Sequence, residues 1–349
     1  MSLSEKKFGV LPDGAAVQAY TLQNEAGASL TILSFGARIQ SLQMPDRRGK
    51  LGEMVLGHNT LDGYLAAGDY QGATVGRYAS RIANGTFSID GHTYSLPCNE
   101  AHACLHGGQG FSHRLWRFKC CDNSDDAPSM TLSYTSEDGE DGFPGRCRVT
   151  VTFCLTTDNA LMIDYKAKTD QTTVLNLTNH TFFNLSGNCH RDVLSTEVSI
   201  DADAFTPVDA RLLPTGEILS VSGTPLDFRK TKTIGQDIRH DFLRNTNGYD
   251  HNYVLNGSGY RKVAQAYNQS TGRRLLVFTD QPGMQFYTAN AFGPNDRNRD
   301  GSLMKPHTAF CFETQHYPDS PNHPDFPSTL LRPGEMFFSR TVFKFETVR

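Results

Sequence analysis

The chain has 349 residues, of which 33 are Lys or Arg and 37 are Asp or Glu, so its formal net charge is −4. This near-neutral balance argues against a nucleic-acid groove or an anionic membrane surface, since both need clustered cations. No apolar stretch reaches the roughly 18 residues of a membrane helix, and the short polar start lacks the apolar core of a signal peptide, so we expect a cytoplasmic protein.

Alternating apolar and polar residues predict β-strands from one end of the chain to the other. The first candidates in chain order are residues 29–34 and a hairpin formed by residues 86–89 and 92–96. Asp90-Gly91 connects the two hairpin strands. This dipeptide favours a type I′ turn, because that turn needs positive φ at both central residues.

The clearest alternation lies in the middle of the chain, at residues 149–155 and 161–167, where apolar residues occupy every second position. One face of each strand is therefore expected to pack on a core. Residues 121–128 have the composition of a solvated loop, and the best helical periodicity is short and covers residues 234–244. Further strands are predicted at 130–136, 173–178, 274–279, 284–290 and 336–346.

These patterns together predict an all-β fold, a large antiparallel β-sandwich with few short helices. No low-complexity linker divides the sequence, so we expect one domain over residues 1–349. The cysteines contain no C-x-x-C pair, and free thiols in a reducing compartment are preferred over disulfides. They are Cys98, Cys104, Cys120, Cys121, Cys147, Cys154, Cys189 and Cys311.

Two short segments imitate metal sites. Residues 296–301 resemble the start of a calcium loop, but its twelfth position is His307 instead of a bidentate Glu. Residues 102–106 would place two His and one Cys on one face of a strand, but Gly107-Gly108 ends that strand, and zinc sites usually need a further ligand pair. No Gly-rich phosphate loop follows a strand. The sequence therefore predicts no metal and no cofactor.

Five segments carry polar groups that an all-β chain does not need for folding. Within them, His180 lies in a strand-like run before Phe182, and Glu313 lies between Phe312 and Thr314. A lone His in such a run is most often a core residue, whereas a carboxylate there is costly unless it is paired or used. Together the two residues suggest a functional site. The segments are 76–85, 105–108, 176–185, 248–253 and 312–324.

Six motifs resemble those of the aldose 1-epimerase (galactose mutarotase) family and occur in the family's order over nearly the whole chain. The resemblance implies a β-sandwich that binds a free sugar in a cleft without a cofactor. The motifs are G-R-x-A-x-R-I-A-x-G (76–85), L-H-G-G (105–108), D-G-x-x-G-F-P-G (138–145), N-x-T-N-H-x-x-F-N-L (176–185), G-Y-D-H (248–251) and F-E-x-Q-x-x-P-D-S-P-N-H-P (312–324).

The resemblance also implies roles for individual residues. Glu313 matches the general base of the family and His180 its general acid, while His106 matches a second active-site histidine. Arg81 and Asp250 match residues that hold sugar hydroxyls. The residues expected to bind the sugar are His106, Arg81, Asp250, Gln285 and Ser80.

Two positions depart from the family's pattern. Ser80 stands where the family usually has Asn before the Arg, and Phe182 stands where Tyr is common. The shorter side chain and the missing hydroxyl affect the sugar preference more than the reaction, because the expected acid and base are both present.

The residue types fit the opening of an aldose ring, in which the C1 hydroxyl loses a proton and the ring oxygen gains one. Histidine titrates near neutral pH, and burial raises the pKa of a carboxylate, which makes it a better base. With the resemblance, this chemistry predicts an aldose 1-epimerase that interconverts the α and β anomers of a free aldose such as galactose or glucose.

Three alternatives stay open. Asp250 and Glu313 could form the carboxylate pair of a glycosidase, although a His–Glu pair fits hemiacetal opening better. The protein could instead be a non-catalytic sugar-binding module or sensor, or an epimerase of a phosphorylated hexose, for which Arg77 and Arg81 would supply the cations.

The expected partner is a monosaccharide, with no nucleic acid and no membrane, and the protein is expected to be a monomer or a homodimer.

Overall fold

The computed structural model describes residues 3–67, 70–122, 124, 127–293 and 296–348. Within these ranges the chain forms 27 strands, one short α-helix and five 3₁₀ turns. None of the described helices has the length and apolar character needed to cross a bilayer. The prediction of a mostly-strand fold with few short helices is therefore confirmed.

The strands follow one another along the whole chain and are separated mainly by turns. In chain order they are β1 (Ser4–Val10), β2 (Ala16–Gln23), β3 (Ser29–Leu33), β4 (Arg38–Pro45), β5 (Leu51–Glu53), β6 (Thr74–Val75), β7 (Arg81–Ala83), β8 (Thr86–Ile89), β9 (His92–Ser95), β10 (Ala103–Leu105), β11 (Arg117–Asp122), β12 (Ser129–Ser136), β13 (Cys147–Leu155), β14 (Ala160–Thr169), β15 (Thr173–Val174), β16 (Thr178–Asn179), β17 (Glu197–Ile200), β18 (Ala204–Thr206), β19 (Leu219–Ser220), β20 (Lys232–Thr233), β21 (Asp250–Val254), β22 (Arg261–Asn268), β23 (Arg273–Thr279), β24 (Gly283–Tyr287), β25 (Cys311–Gln315), β26 (Leu330–Leu331) and β27 (Phe337–Thr347). The helical segments are α1 (Leu61–Ala66) and the 3₁₀ turns Phe111–His113, Glu140–Gly142, Ile234–Gln236, Asp241–Leu243 and Ser320–Asn322.

Three larger sheets contain most of the strands. Nine strands form one sheet in the order β11-β12-β13-β14-β27-β23-β22-β17-β20. The first five strands form a second sheet in chain order, and the third sheet has the order β19-β18-β21-β24-β25. All the pairings between the described strands are antiparallel.

One hydrophobic core joins inward-facing side chains of all three sheets. Along β13, Val149, Val151 and Phe153 are buried while the residues between them are more exposed, because side chains alternate along a strand. The same core contains Leu30 from β3 and Phe286 from β24. Each such side chain contributes about 1.5–3 kcal/mol to the free energy of folding when it is fully buried. This shared core supports the prediction of one domain over the whole chain, which stays a prediction.

Most of the predicted strands are confirmed. The predictions for 29–34, 130–136, 149–155, 161–167, 274–279 and 336–346 correspond to β3, β12, β13, β14, β23 and β27. The predicted hairpin is β8 and β9, and φ is 49° at Asp90 and 82° at Gly91, as its turn requires.

The strand predicted at 173–178 is interrupted, because β15 and β16 are separate short strands with different partners. Between them, the N–H of Leu175 binds to the carbonyl oxygen of Thr329, and the N–H of Asn176 binds to that of Arg77. The prediction of one continuous strand is therefore wrong.

Two boundaries also differ from the predictions. The strand predicted at 284–290 ends at Tyr287, since Ala289 has a φ of 51° and leaves the extended conformation. The loop predicted at 121–128 begins inside β11, which continues to Asp122, and part of that loop lies outside the described residues.

The helix predicted over 234–244 is wrong. Two 3₁₀ turns, Ile234–Gln236 and Asp241–Leu243, replace it. His240 has extended backbone angles, and its ring Nδ1 accepts the N–H of Phe242 at 3.1 Å. This side chain therefore starts a second turn instead of continuing the first.

The short helix α1 escaped prediction because its six residues are too few to show a helical period. Thr60 caps its first turn, since the Thr60 hydroxyl oxygen accepts the N–H of Gly63 at 3.2 Å. Asp62 in the first turn adds a favourable charge at the positive end of the helix dipole.

Candidate active site

A cavity of about 550 Å³ opens where the sheet of β21, β24 and β25 meets the ends of β7, β10 and β16. All the site residues predicted from the sequence lie on its wall: Ser80, Arg81, His106, His180, Asp250, Gln285 and Glu313. Sequence reasoning missed several other lining residues, among them Tyr70, Glu100, Asn245, Asn247, Asn290 and Asp296.

Three adjacent strands align the acidic and amide groups of this wall. Register places Asn252 of β21 beside Gln285 of β24, and Gln285 beside Glu313 of β25. Asp250 lies two residues before Asn252 and therefore on the same face of the sheet. Gln285 Nε2 donates to Asp250 Oδ1 at 2.6 Å, which joins two side chains that are 35 residues apart in sequence.

Glu313 and His180 meet at the buried side of the cavity. The distance between His180 Nε2 and Glu313 Oε1 is 3.5 Å, and the two residues are only 6% and 3% exposed. Burial lowers the pKa of His180 to about 4, against the effect of its own backbone hydrogen bond. Burial raises the pKa of Glu313 well above its ordinary value, and the charge of Asp250 adds to this. Both shifts favour the neutral forms of the two side chains.

Two aromatic rings and two backbone hydrogen bonds hold His180 in place. Its ring stacks against Phe182 with centroids 4.9 Å apart and against Tyr70 at 5.9 Å. The N–H of His180 donates to the carbonyl oxygen of Ala73 at 2.9 Å, and its own carbonyl accepts the N–H of Gly72 at 2.8 Å. The imidazole therefore has a defined orientation toward Glu313.

His106 lies beside His180, with ring centroids 5.2 Å apart. Its Nδ1 accepts the backbone N–H of Ser80 at 3.1 Å, so the proton of the neutral ring lies on Nε2. Burial lowers the pKa of His106 well below its ordinary value, and the charges of His180 and Arg81 lower it further. His106 is therefore a neutral donor at the cavity wall.

His106, His180 and Glu313 also offer three ligand atoms within 4.8 Å of one another, a geometry that could hold a metal ion. A metal-binding histidine normally donates the N–H of its second ring nitrogen to an acceptor. The second nitrogen of His106 instead faces the N–H of Ser80, so Nε2 must keep its proton. These residues therefore do not fit a metal ion.

Arg81 is the cation in the described part of the cavity wall, and Glu100 holds it in place. Arg81 Nε and Nη2 donate to the two carboxylate oxygens of Glu100 at 2.7 and 2.9 Å. Although burial opposes the shift, these bonds and the charges of Asp250 and Glu313 raise the pKa of Arg81. No sequence pattern marks Glu100, because it lies before β10 and contacts Arg81 across 19 residues of sequence.

The pair of cations that an epimerase of a phosphorylated hexose would need, Arg77 and Arg81, does not line the cavity together. The guanidinium of Arg77 donates to the carbonyl oxygens of Pro144, Ser136 and Glu137, and it is not part of the cavity wall. Arg77 therefore supplies no cation to this cavity. Charged side chains in the described part of the wall are Glu100, Asp250, Asp296, Glu313 and Arg81.

Gln285 leaves one buried acceptor available to a ligand. Its Oε1 has no hydrogen-bond partner among the described residues, while its Nε2 binds Asp250. Buried polar atoms normally have a partner, so an orphan atom at a cavity wall suggests a bound hydroxyl. Burial also raises the pKa of Asp250, while the charge of Arg81 and the bond from Gln285 lower it.

The fold and the cavity together define a β-sandwich protein with a buried acid–base pair and a wall suited to an uncharged polyhydroxylated ligand. The aldose 1-epimerase family model matches residues 18–344. The chain is 42% identical over 348 residues to galactose mutarotase of Bos taurus, with 99% of each chain covered. It is 36% identical over 340 residues to aldose 1-epimerase of Escherichia coli strain K12, with 96% of each covered.

A solved structure supports the same assignment. The aldose epimerase homologue from C. elegans superposes with a TM-score of 0.86 at 30% identity, which covers 94% of this chain and 98% of that one. The chain therefore belongs to the aldose 1-epimerase family. The resemblance found in the six motifs and the expected β-sandwich of this family are confirmed.

Proposed function

We propose that this protein interconverts the α and β anomers of a free aldose such as galactose or glucose, with Glu313 as general base and His180 as general acid. The relatives compared above are named galactose mutarotase and aldose 1-epimerase. The observation that carries the proposal is the buried Glu313–His180 pair, 3.5 Å apart, at the wall of a polar cavity.

Ring opening moves two protons and changes no oxidation state. Glu313 as a carboxylate takes the proton of the C1 hydroxyl, and His180 as an imidazolium gives a proton to the ring oxygen. The C1–ring oxygen bond breaks, and the open-chain aldehyde forms. Glu313 is then protonated and His180 neutral, and ring closure on the other face of C1 reverses both transfers.

The pKa shifts of Glu313 and His180 concern the same two protonation states, the one before ring opening and the one after it. Burial raises the pKa of Glu313 and lowers that of His180, which favours the carboxyl group over the imidazole as the holder of a shared proton. This arrangement is also the one that follows ring opening. Sugar hydroxyls that donate to the carboxylate, together with the charge of Arg81, favour the other arrangement, from which ring opening starts.

The remaining lining groups supply donors and acceptors for sugar hydroxyls. His106 Nε2 and the guanidinium of Arg81 donate, while Asp250 and the unpartnered Oε1 of Gln285 accept. Ser80 also lies on this wall and is smaller than the Asn common in the family. We infer that the choice among aldoses depends on this part of the wall.

The charge of the wall disfavours a phosphorylated hexose. Four carboxyl groups and one guanidinium line its described part, and Glu100 already binds that guanidinium. A phosphate would therefore meet more negative than positive charge.

A reducing compartment such as the cytoplasm fits the chain, since none of the eight cysteines, each within the described ranges, forms a disulfide. A monomer or homodimer stays a prediction.

Glu313→Gln tests the proposal. The change of optical rotation of freshly dissolved α-glucose or α-galactose measures the rate, and we expect kcat to fall by about 10²–10⁴-fold, the usual contribution of a positioned acid or base. Circular dichroism checks that the variant is folded. Glu53→Gln is the matched control, because Glu53 is a second carboxylate outside this cavity.

Full activity of the Glu313→Gln variant would refute the assignment of the base. A sugar-binding module predicts a different result, since it would bind sugar in a calorimeter while wild-type protein leaves anomer exchange at the buffer rate. A glycosidase would release a sugar from an aryl glycoside, which the proposed reaction does not do.

A further inference from the structure

The strand that carries Glu313 also places a thiol against His180. Cys311 lies two residues before Glu313 on β25, so both side chains lie on the same face of that strand. Cys311 Sγ is 3.7 Å from His180 Nδ1, and Glu313 Oε1 is 3.5 Å from His180 Nε2. Two side chains of one strand therefore contact both nitrogens of one imidazole ring.

The proposed reaction requires a particular tautomer of His180. As an imidazolium, the ring carries a proton on each nitrogen, and Nε2 is the nitrogen on the side of Glu313. Once Nε2 has given its proton away, the remaining proton must lie on Nδ1. This buried N–H needs an acceptor throughout the cycle, and the sulfur of Cys311 lies within hydrogen-bond distance of it.

We propose that Cys311 is a positioning residue whose sulfur accepts the Nδ1–H of His180 and thereby keeps Nε2 as the nitrogen that exchanges protons. The inference rests on the proposed function, in which His180 is the general acid. Sulfur is a weak acceptor, so its effect is on the balance between two tautomers rather than on the stability of the fold.

The neighbouring histidine shows the opposite arrangement. His106 Nδ1 accepts the N–H of Ser80, which keeps the proton of that ring on Nε2. His180 Nδ1 instead faces the Cys311 sulfur at 3.7 Å, and this sulfur can accept a hydrogen bond. Two adjacent imidazoles are thus held in different tautomers, one as a fixed donor and the other with an Nε2 that can gain and lose a proton.

The surroundings of Cys311 provide a matched control. Cys311 and Cys189 are both buried in one apolar cluster with Leu56, Phe182 and Met304. Cys189 Sγ, however, contacts the backbone carbonyl of Val55 at 3.8 Å and not the histidine. Substitution of either cysteine by Ala removes the same volume from the same cluster, and one of the two substitutions removes the acceptor of His180.

The experiment compares Cys311→Ala, Cys311→Ser and Cys189→Ala by ¹⁵N NMR of histidine-labelled protein, with His180→Asn to assign the signals. We expect a single Nδ1–H tautomer of His180 in the wild type and in Cys189→Ala, and a mixture of both tautomers in Cys311→Ala. We also expect kcat of Cys311→Ala to fall roughly ten-fold with little change in KM, a part of the 10²–10⁴-fold effect of a positioned proton donor. Cys311→Ser keeps an acceptor and should recover most of kcat.

An unchanged tautomer in Cys311→Ala would overturn the inference, even if kcat falls, because the loss would then be a packing effect. Equal losses of kcat in Cys311→Ala and Cys189→Ala would also overturn it. The proposed function fails separately, if His180→Asn keeps full activity, since the tautomer measurement does not depend on activity. If Cys311→Ala does not fold, Cys311→Ser and Cys311→Val repeat the comparison.

Discussion

Two polar cavities of nearly equal size lie in this molecule, and each includes a mostly buried carboxylate. The first, of about 550 Å³, contains Glu313. The second, of about 540 Å³, is lined by the β4–β5 region, residues 186–191 and residues 298–300, and it contains Glu53. The comparison shows that volume and polarity alone do not identify an active site, because the two carboxylates have very different partners.

Glu53 is surrounded by groups that compensate its charge. Arg299 Nη1 lies 3.0 Å from its carboxylate, and the hydroxyl of Ser41 donates to it at 2.6 Å. The N–H of Leu42 and the side-chain amide of Gln43 donate at 2.9 and 3.0 Å. This carboxylate is thus part of a satisfied network that connects β4, β5 and the loop at 299.

Burial destabilises the charged form of Glu313, and the groups around it do not offset this destabilisation. Its near neighbour is His180, whose low pKa keeps it neutral, and the charge of Asp250 raises the pKa of Glu313 further. Arg81 opposes this effect, but it is bound by Glu100. An uncompensated buried acid beside an imidazole is typical of catalytic groups rather than of structural ones.

The same substitution at the two carboxylates should therefore have opposite effects. We expect Glu53→Gln to lower the free energy of unfolding by about 3 kcal/mol, because it breaks a largely buried ion pair with Arg299. Urea denaturation measures this loss, and kcat of the folded variant should equal that of the wild type. A variant as stable as the wild type would show that the hydrogen-bond network at Glu53 does not contribute to the stability of the fold.

Glu313→Gln should instead raise the free energy of unfolding at high pH, by about 1–2 kcal/mol, as expected when a costly buried charge is removed. The pKa of Glu313 is raised in the folded protein, so the folded state binds more protons above the ordinary value of 4.5. Wild-type stability is therefore lost as the pH rises through the folded pKa, and the Gln variant escapes this loss. Urea curves at pH 4.5 and pH 8 measure the difference in free energy of unfolding between the Gln variant and the wild type, which should be near zero at pH 4.5. A difference in free energy of unfolding that does not change with pH would contradict this account of Glu313.

The smallest of the three effects is expected for Asp250→Asn. We expect kcat/KM to fall roughly ten-fold, because a charged acceptor for a sugar hydroxyl becomes neutral. The charge of Asp250 raises the pKa of Glu313, so its removal should move the acid limb of the kcat/KM profile to lower pH. Asp241→Asn, at an exposed ion pair, serves as the control. A shift of the limb to higher pH would show that the two carboxyl groups do not interact as described.

Much of the fold could be predicted from the sequence because burial follows strand alternation directly. Residues 149–155 and the turn at Asp90-Gly91 illustrate this, since each depends on local pattern alone. The segment at 234–244 could not be predicted, because the break there depends on the side chain of His240 capping a new turn. Strand boundaries such as that of β15 depend on hydrogen bonds to distant residues.

The site was predictable to the extent that motifs mark it. Glu313, His180 and Arg81 lie in motifs, so resemblance could point to them before any geometry was available. Glu100 and Cys311 could not be recognised as partners of Arg81 and His180, because those contacts join residues far apart in sequence and depend on tertiary packing. The tautomers of the two histidines are equally invisible in sequence, as each depends on what one ring nitrogen faces.

The firm placement of the His180 ring determines which partner moves during catalysis. An open-chain aldose must turn its carbonyl about the C1–C2 bond before it can close to the other anomer. Stacking against Phe182 and Tyr70, together with contacts at both ring nitrogens, leaves the imidazole little freedom to follow that turn. In the proposed reaction the sugar therefore makes this half-rotation while the imidazole stays in place, and a sugar whose ring cannot open would bind in the cavity without reacting.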